Sequence, residues 1–323
     1  MKRLFAAILV ATLGYCAWWF YAAHTMRVSV ENWFQAQRDQ GWTAEYQDLE
    51  IRGFPNRTDL TVTGPLLRSP DGQHGWQAPF FQVLSLSYNH AHVIVAWADT
   101  QTLFTPSGEV SVGSDGLRAS VVREHTQFLR SNVEASVLNL TLPDHSIALA
   151  GVNAALHKVE PSDASYRLAL TVDGIALPDL PNSGGLAPES LSNLRADTVV
   201  TLSGPLNGSA NPAARLTHLA VRHSEISYGA LTLRITGDAD IDPLGYPTGT
   251  VTIKADNWRE SLNAAREKGD LPPALSDGVI DMLTLLSGLS GSRDALDVTL
   301  GLTSGAVFLG PLKIGQLPPL LLR

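Results

Sequence analysis

The chain has 323 residues, with 23 Lys plus Arg against 31 Asp plus Glu and a formal charge of -8 at pH 7. Hydrophobic residues reach 44% and charged residues only 17%, well under the roughly one quarter usual in a soluble domain. This excludes a disordered polyelectrolyte, and the acidic balance excludes a nucleic-acid binder and disfavours any polyanionic ligand.

The first 27 residues hold no acid and three bases, Lys2, Arg3 and Arg27, which leaves 20 basic against 31 acidic residues in the remainder. From Leu4 to Ala23 runs LFAAILVATLGYCAWWFYAA, free of charge and, at about 1.5 Å per residue, as long as a hydrocarbon core of about 30 Å. The aromatic cluster Trp18, Trp19, Phe20, Tyr21 suits a membrane interface at its far end. The segment is expected to be an uncleaved, single-pass anchor over residues 1–27 with its N-terminus inside. The alternative, a cleaved signal peptide, has a shorter apolar core and small residues at its cleavage site. Cys16 is the only cysteine and falls inside this stretch, so no intrachain disulfide can form. Topology therefore places the bulk of the chain in the periplasm, on the inner membrane.

Beyond Arg27, Val30, Trp33, Phe34 and Ala36 stand close to helical spacing before Gly41, which predicts a helix continuing from the anchor. Period two then dominates. Leu60 and Val62 alternate with Thr61 and Thr63; Leu231, Leu233 and Ile235 with Thr232 and Arg234; Val251, Ile253 and Ala255 with Thr252 and Lys254. Similar runs surround Leu84 to Tyr88, Val93 to Trp97, Val133 to Leu140, Leu168 to Val172, Thr198 to Leu202 and Val298 to Leu302. These are half-buried strands, and together they predict a mainly β fold, with one large, curved, mainly antiparallel sheet. The Pro/Gly-rich stretch from Leu177 to Ser190 marks a boundary between halves 28–180 and 181–323 or a long surface loop. In the second half, Trp258, Leu262 and Ala265, then Leu275, Val279, Met282, Leu283 and Leu286, predict two short helices packed on the sheet.

Chemistry-bearing motifs are sparse. His90 and His92 would share a strand face, but no third metal ligand lies near them in sequence. GLSGS at Gly288 to Ser292 misses the Gly-x-Ser-x-Gly elbow. Asp238, Asp240 and Asp242 lack the glycine and the twelfth-position glutamate of a calcium hand, and read as a solvated strand ending in a turn. No catalytic residue, metal site or cofactor is expected, and the chain is not expected to be an enzyme.

One pattern is more specific. IRGFPNRTDLTVTGPLL from Ile51, GWQAP from Gly75 and GAVFLGPLKIGQLPPL from Gly305 together resemble the domain-of-unknown-function 2125 family of Gram-negative bacteria. Its motif residues here include Gly53, Phe54, Pro55, Arg57 and Trp76. Physically, Gly53 and Pro55 suit a sharp bend with Phe54 tucked inward, Arg57 a surface ion pair, and Trp76 a packed strand entry. SYGALTLRITGDADIDPLGYPTGTVTIKADNW is similar, more weakly, to the C-terminal part of AsmA-like proteins. That likeness implies a curved sheet with an apolar inner face, linked to phospholipid traffic or outer-membrane homeostasis. The expected function is lipid or acyl-chain binding in an apolar groove formed by Leu84, Leu86, Leu231, Leu233, Val251, Ile253, Leu300 and Leu302. The expected partners are the inner membrane, phospholipid and another envelope protein. The alternative is a non-catalytic assembly or scaffold module that binds that protein.

Overall fold

A computed structural model describes residues 1–125, 127–176, 192–206, 214–228, 231–261, 263, 284, 287–288 and 295–320. They form one long helix, α1 (Lys2–Asp39), and twenty strands, with antiparallel pairing wherever a register is recorded. The mainly β, mainly antiparallel fold expected from the alternation is what the chain adopts. The chain divides into two compact units, residues 1–122 with 139–143, and residues 123–138 with 144–323. The units part earlier in the sequence than 180/181, and the segment 177–190, expected as a boundary or loop, lies outside the described residues.

In the first unit α1 runs unbroken through the apolar stretch into the predicted continuation. It ends where Gln40 N–H bonds back to the Ala36 carbonyl and Gly41 takes φ +87, a backbone angle that a side chain disfavours. Residues 1–15 are exposed. From Cys16 onward a stripe is covered at Cys16, Trp19, Ala23, Met26, Val30 and Phe34, the three-to-four spacing of one helix face. That stripe packs on β2 (Asp48–Arg52) and β3 (Arg57–Thr63), whose inward residues Leu49, Leu60 and Val62 form a dry core with Phe34 and Ala44. β3 pairs next with β6 (Phe80–Leu86), β6 with β7 (Asn89–Trp97), and β7 with β10 (Arg118–Glu124). A second ladder joins β1 (Thr43–Glu45), β4 (Leu66–Arg68), β5 (Gly75–Gln77), β8 (Thr100–Thr105) and β9 (Gly108–Asp115). Trp76 on β5 meets Phe81 on β6 edge to face at 5.7 Å, joining the two ladders. The run expected to continue as strand to Tyr88 stops at Leu86, because Ser87 and Tyr88 form the tight turn into β7.

The second unit is a meander of long strands. β11 (Gln127–Thr141) begins in it and ends in the first unit. After it come β12 (Ser146–Lys158), β13 (Ser165–Ala176), β14 (Ser192–Leu202), β15 (Leu216–Tyr228), β16 (Leu231–Ile241), β17 (Pro247–Asp256), β18 (Ala295–Thr303), β19 (Ala306–Leu309) and β20 (Leu312–Gln316). From β12 onward each pairs with the next. Residues 258–261 are helical, as expected at that point; Leu262 and Ala265, and the helix expected from Leu275 to Leu286, lie outside the described residues except Thr284.

Candidate functional site

Register assigns the described side chains of β13 to β18 to a face. Val172, Leu194, Ile226, Leu233, Ala255 and Leu296 lie opposite one another across β13 to β18, and all are apolar. Leu231, Leu233 and Ile235 share that face, and Thr232 and Arg234 take the other, as their alternation predicts. The other face is a network of ion pairs. Arg167 grips Asp197 through two hydrogen bonds of 2.7 Å, Arg234 joins Glu225 at 2.9 Å to Asp256 at 2.5 Å, and Lys254 meets Asp297 at 2.9 Å. The Arg167 hydrogen bond holds the Asp197 carboxyl below its ordinary value.

The apolar face is not uniformly dry. At its β16–β18 end Trp258 closes over Ala255, Leu296 and Val298, with Leu231, Leu233 and Leu300 half-buried against them. Leu302 is buried with Ala239 and Ile241, and Val251 packs against that group. Ile253 is half-buried opposite Val298. Further along, Leu170, Leu194, Leu219 and Ile226 are half-buried and Leu168 is 40% exposed. Six of the eight proposed groove residues thus share one face of this unit. Leu84 and Leu86 belong to the first unit, on β6. They point away from the face that α1 covers: Leu84 lies opposite Asp59 and Ile94, and Leu86 is exposed.

The family-motif residues assemble elsewhere in the first unit, between β2 and β3. Gly53 has φ +104, and a Cβ there would fall 2.6 Å from the Arg57 Cβ and 3.0 Å from the Arg57 carbonyl carbon, so the bend requires glycine. Phe54 is not tucked inward; it is 48% exposed. Its ring stacks on Phe20 at 5.7 Å and meets Trp19 edge to face at 5.4 Å. The bend was legible, but its packing partner on α1, over thirty residues away, was not. Trp19, 4% exposed, donates its indole N–H to the Arg57 carbonyl at 2.9 Å. Tyr15 donates its hydroxyl to the Pro55 carbonyl at 2.7 Å and lies 2.9 Å from Ser87 Oγ. Arg57 pairs with Asp59 at 2.8 Å, a surface ion pair as expected.

Trp76, the second motif's aromatic residue, donates its indole N–H to Gln101 Oε1 at 2.9 Å. This turns Gln101 Nε2, buried and without a hydrogen-bond partner among the described residues, toward the rest of its surroundings. Gln101 lines a pocket of about 780 Å³ with Gln77, Thr100, Thr102, Ser111, Asn139 and Thr141. The lining carries amides and hydroxyls but no carboxylate, imidazole or thiol, so it supplies hydrogen bonds and no acid–base pair.

His92 and the three aspartates have other partners. His92 Nε2 lies 2.8 Å from Ser120 Oγ. Asp240 and Asp238 clamp His218 at 2.9 and 3.2 Å, while Asp242 accepts hydrogen bonds from the Leu244 and Tyr246 amides and closes the β16–β17 turn. Among the described residues no three His, Cys, Asp or Glu side chains cluster as a metal site.

α1 is long and apolar enough to cross a membrane, a property a signal sequence shares. No curated protein and no solved structure matches this chain. A family model does match it, over residues 19–318, and takes in the Gly53–Arg57 bend, Trp76 and the β18–β20 end. The chain therefore belongs to the family described as uncharacterized protein conserved in bacteria, DUF2125.

Proposed function

We propose that this is a non-catalytic, membrane-anchored periplasmic protein that holds lipid acyl chains along the apolar face of its second unit. One observation carries the reading: an extended sheet whose one face is ion-paired and whose other face is apolar and, at Leu168, Leu170, Leu194, Leu219 and Ile226, incompletely buried beside the buried Tyr166 and Val172. Each CH₂ withdrawn from water there contributes about 0.8 kcal/mol, so part of one chain offsets a substantial ordering cost. The AsmA-like rhythm of this half supports the same ligand class.

Anchoring is supported by α1 itself. Trp19 and Phe34 are buried in the first unit, so removal of the first 23 residues would strip Trp19 from its place against Arg57. Lys2 and Arg3 before the span and the net acidic chain after it orient the N-terminus toward the cytoplasm and the rest toward the periplasm of the inner membrane.

A photo-crosslinking residue at Leu168 or Leu170, in cells, is expected to capture lipid, and one at Arg167, on the ion-paired face, is not. Equal lipid capture at all three, or protein adducts alone at Leu168 and Leu170, would overturn the reading. A second reading, an envelope scaffold that binds another protein, is favoured by β20, where Leu312 and Ile314 are exposed. A crosslinker at Ile314 that captures one defined protein partner, with no lipid at Leu168, is its signature.

A further inference from the structure

We infer that the two turns of the first unit that dock on α1, Gly53–Arg57 and Ser87–Tyr88, lie inside the membrane and embed in the leaflet at the C-terminal side of the helix. The inference rests on α1 spanning the bilayer and concerns how deep the β structure sits once it does.

The argument begins with length. The apolar stretch Leu4–Ala23 matches a hydrocarbon core of about 30 Å, but the first unit already touches the helix at Tyr15, Cys16 and Trp19. Residues 4–14 are the part of the stretch that lies N-terminal to every contact with the first unit, and eleven residues rise about 16 Å. Side chains on a helix lean toward its N-terminus, which carries the contact points of Tyr15 and Trp19 deeper still. Tilting the helix lowers its vertical rise and worsens the shortfall. Drawing the helix outward until the turns clear the lipid would pull Lys2 and Arg3 into hydrocarbon, against the strong cost of buried charge. The first unit and the bilayer therefore share residues 15–23.

The turns are built for that setting. A lipid-exposed loop is tolerated only where its backbone polar groups find partners within the protein. Four carbonyls of the first turn do: Gly53 accepts from Arg57 N–H at 2.8 Å, Pro55 from Tyr15 and from Ser87 Oγ at 3.1 Å, Asn56 from Ser87 N–H at 2.9 Å, and Arg57 from Trp19. Pro55 itself has no N–H to satisfy. Two of the four are served by side chains of the apolar helix, Tyr15 and Trp19. Outward, the turns present Phe54, stacked on Phe20, and Tyr88, 74% exposed, after the exposed Leu86 at the end of β6; Trp18 and Tyr21 are exposed on α1. Aromatic rings gathered at one level are the composition of the lipid interface. Arg52 with Glu50 and Arg57 with Asp59 enter as neutral pairs, which suits the boundary between headgroups and acyl chains.

The test uses the full chain with Cys16→Ala, reconstituted in nanodiscs of phosphatidylethanolamine and phosphatidylglycerol. A fluorophore is placed in turn at Phe54→Cys, Tyr88→Cys, Leu13→Cys in mid-span and Ser107→Cys on the β8–β9 turn. Lipid-borne nitroxide is expected to quench Phe54, Tyr88 and Leu13 severalfold more than Ser107, with aqueous iodide giving the reverse order. If Leu13 is quenched by lipid while Phe54, Tyr88 or both are open to iodide, embedding is overturned and the anchor stands. If Leu13 escapes lipid quenching, the spanning helix falls and the inference falls with it.

Discussion

The two units use the same period-two alternation to different ends. In the first, the apolar face of β2, β3 and β6 is sealed by the chain's own helix, with Phe34, Leu49, Leu60 and Val62 withdrawn from water. In the second, strands of up to thirteen residues carry an equally apolar face, yet Leu168 stays 40% exposed and Leu170, Leu194 and Ile226 half-buried, although Tyr166 and Val172 beside them are buried. Alternation decides which side of a strand is apolar; it does not decide what covers that side. The first cover is a helix announced by its own stripe of residues. The second is covered in patches among the described residues: by Trp258 at one end, around Ala239, Ile241 and Leu302 at the other, and at Tyr166 and Val172 on β13.

The comparison breaks most easily in the first core. Phe34→Ala should cost about 3–5 kcal/mol, the usual price of truncating a buried ring, whereas Leu168→Ala should cost under about 1 kcal/mol because water already reaches that side chain. Urea unfolding of the detergent-solubilised chain measures both. Equal losses would mean that the second face is as closed as the first.

Charge sharpens the distinction between faces. Leu233→Asp should destabilise by about 2–4 kcal/mol, since the carboxylate would stand among Ile226, Ala255 and the Trp258 cluster without a partner. Thr232→Asp, on the ion-paired side, should change stability by less than about 0.5 kcal/mol. Similar unfolding midpoints for the two variants would contradict the register.

A smaller loss is expected where the second unit does close. Tyr166 is fully buried on β13, donating its hydroxyl to the Asp163 carbonyl at 3.2 Å and accepting from the Leu206 amide at 2.8 Å. Tyr166→Phe leaves that amide unpaired and should cost about 1–2 kcal/mol, read as a shift in thermal midpoint. A neutral result would show that water reaches the amide.

Which parts of this could be read in advance follows from the range of the interactions. The strands around Leu60, Leu233 and Ile253 and the run of α1 past Arg27 rest on neighbours a few residues apart, so the pattern carried them. The short strands β1, β4 and β5 are three residues each, too brief for a period to register. Gly53 and Pro55 point to a sharp bend with Phe54 tucked inward. Instead Trp19 and Phe20 offer a stacking surface from far away in sequence. The same distance hid Tyr15 as a hydrogen-bond donor to Pro55. Glycine and proline gave the bend, but nothing local to them pointed to the helix. Alternation does not separate Leu84, which turns from the helix-covered face, from Leu233, which joins the long apolar one.

The smallest effect tests the polar face of the second unit. His218 lies between Asp240 and Asp238 at 2.9 and 3.2 Å, and only the imidazolium can donate to both at once. The Asp240 hydrogen bond, followed by the charges of both carboxylates against a modest burial penalty, raises its pKa above the ordinary 6.5. A raised folded-state pKa means that the folded chain binds the proton more tightly than the unfolded one. The resulting stabilisation is complete below 6.5 and disappears as pH climbs through the raised value. For a pair this open to solvent its size is under about 1 kcal/mol. Unfolding midpoints of the native chain and of His218→Gln should therefore differ most in mildly acidic buffer and converge in mildly alkaline buffer. High salt should shrink the acidic difference, because exposed carboxylates are readily screened. Divergence on the alkaline side would mean that neutral His218 is the form the fold prefers, and that Asp238 and Asp240 face solvent rather than the ring.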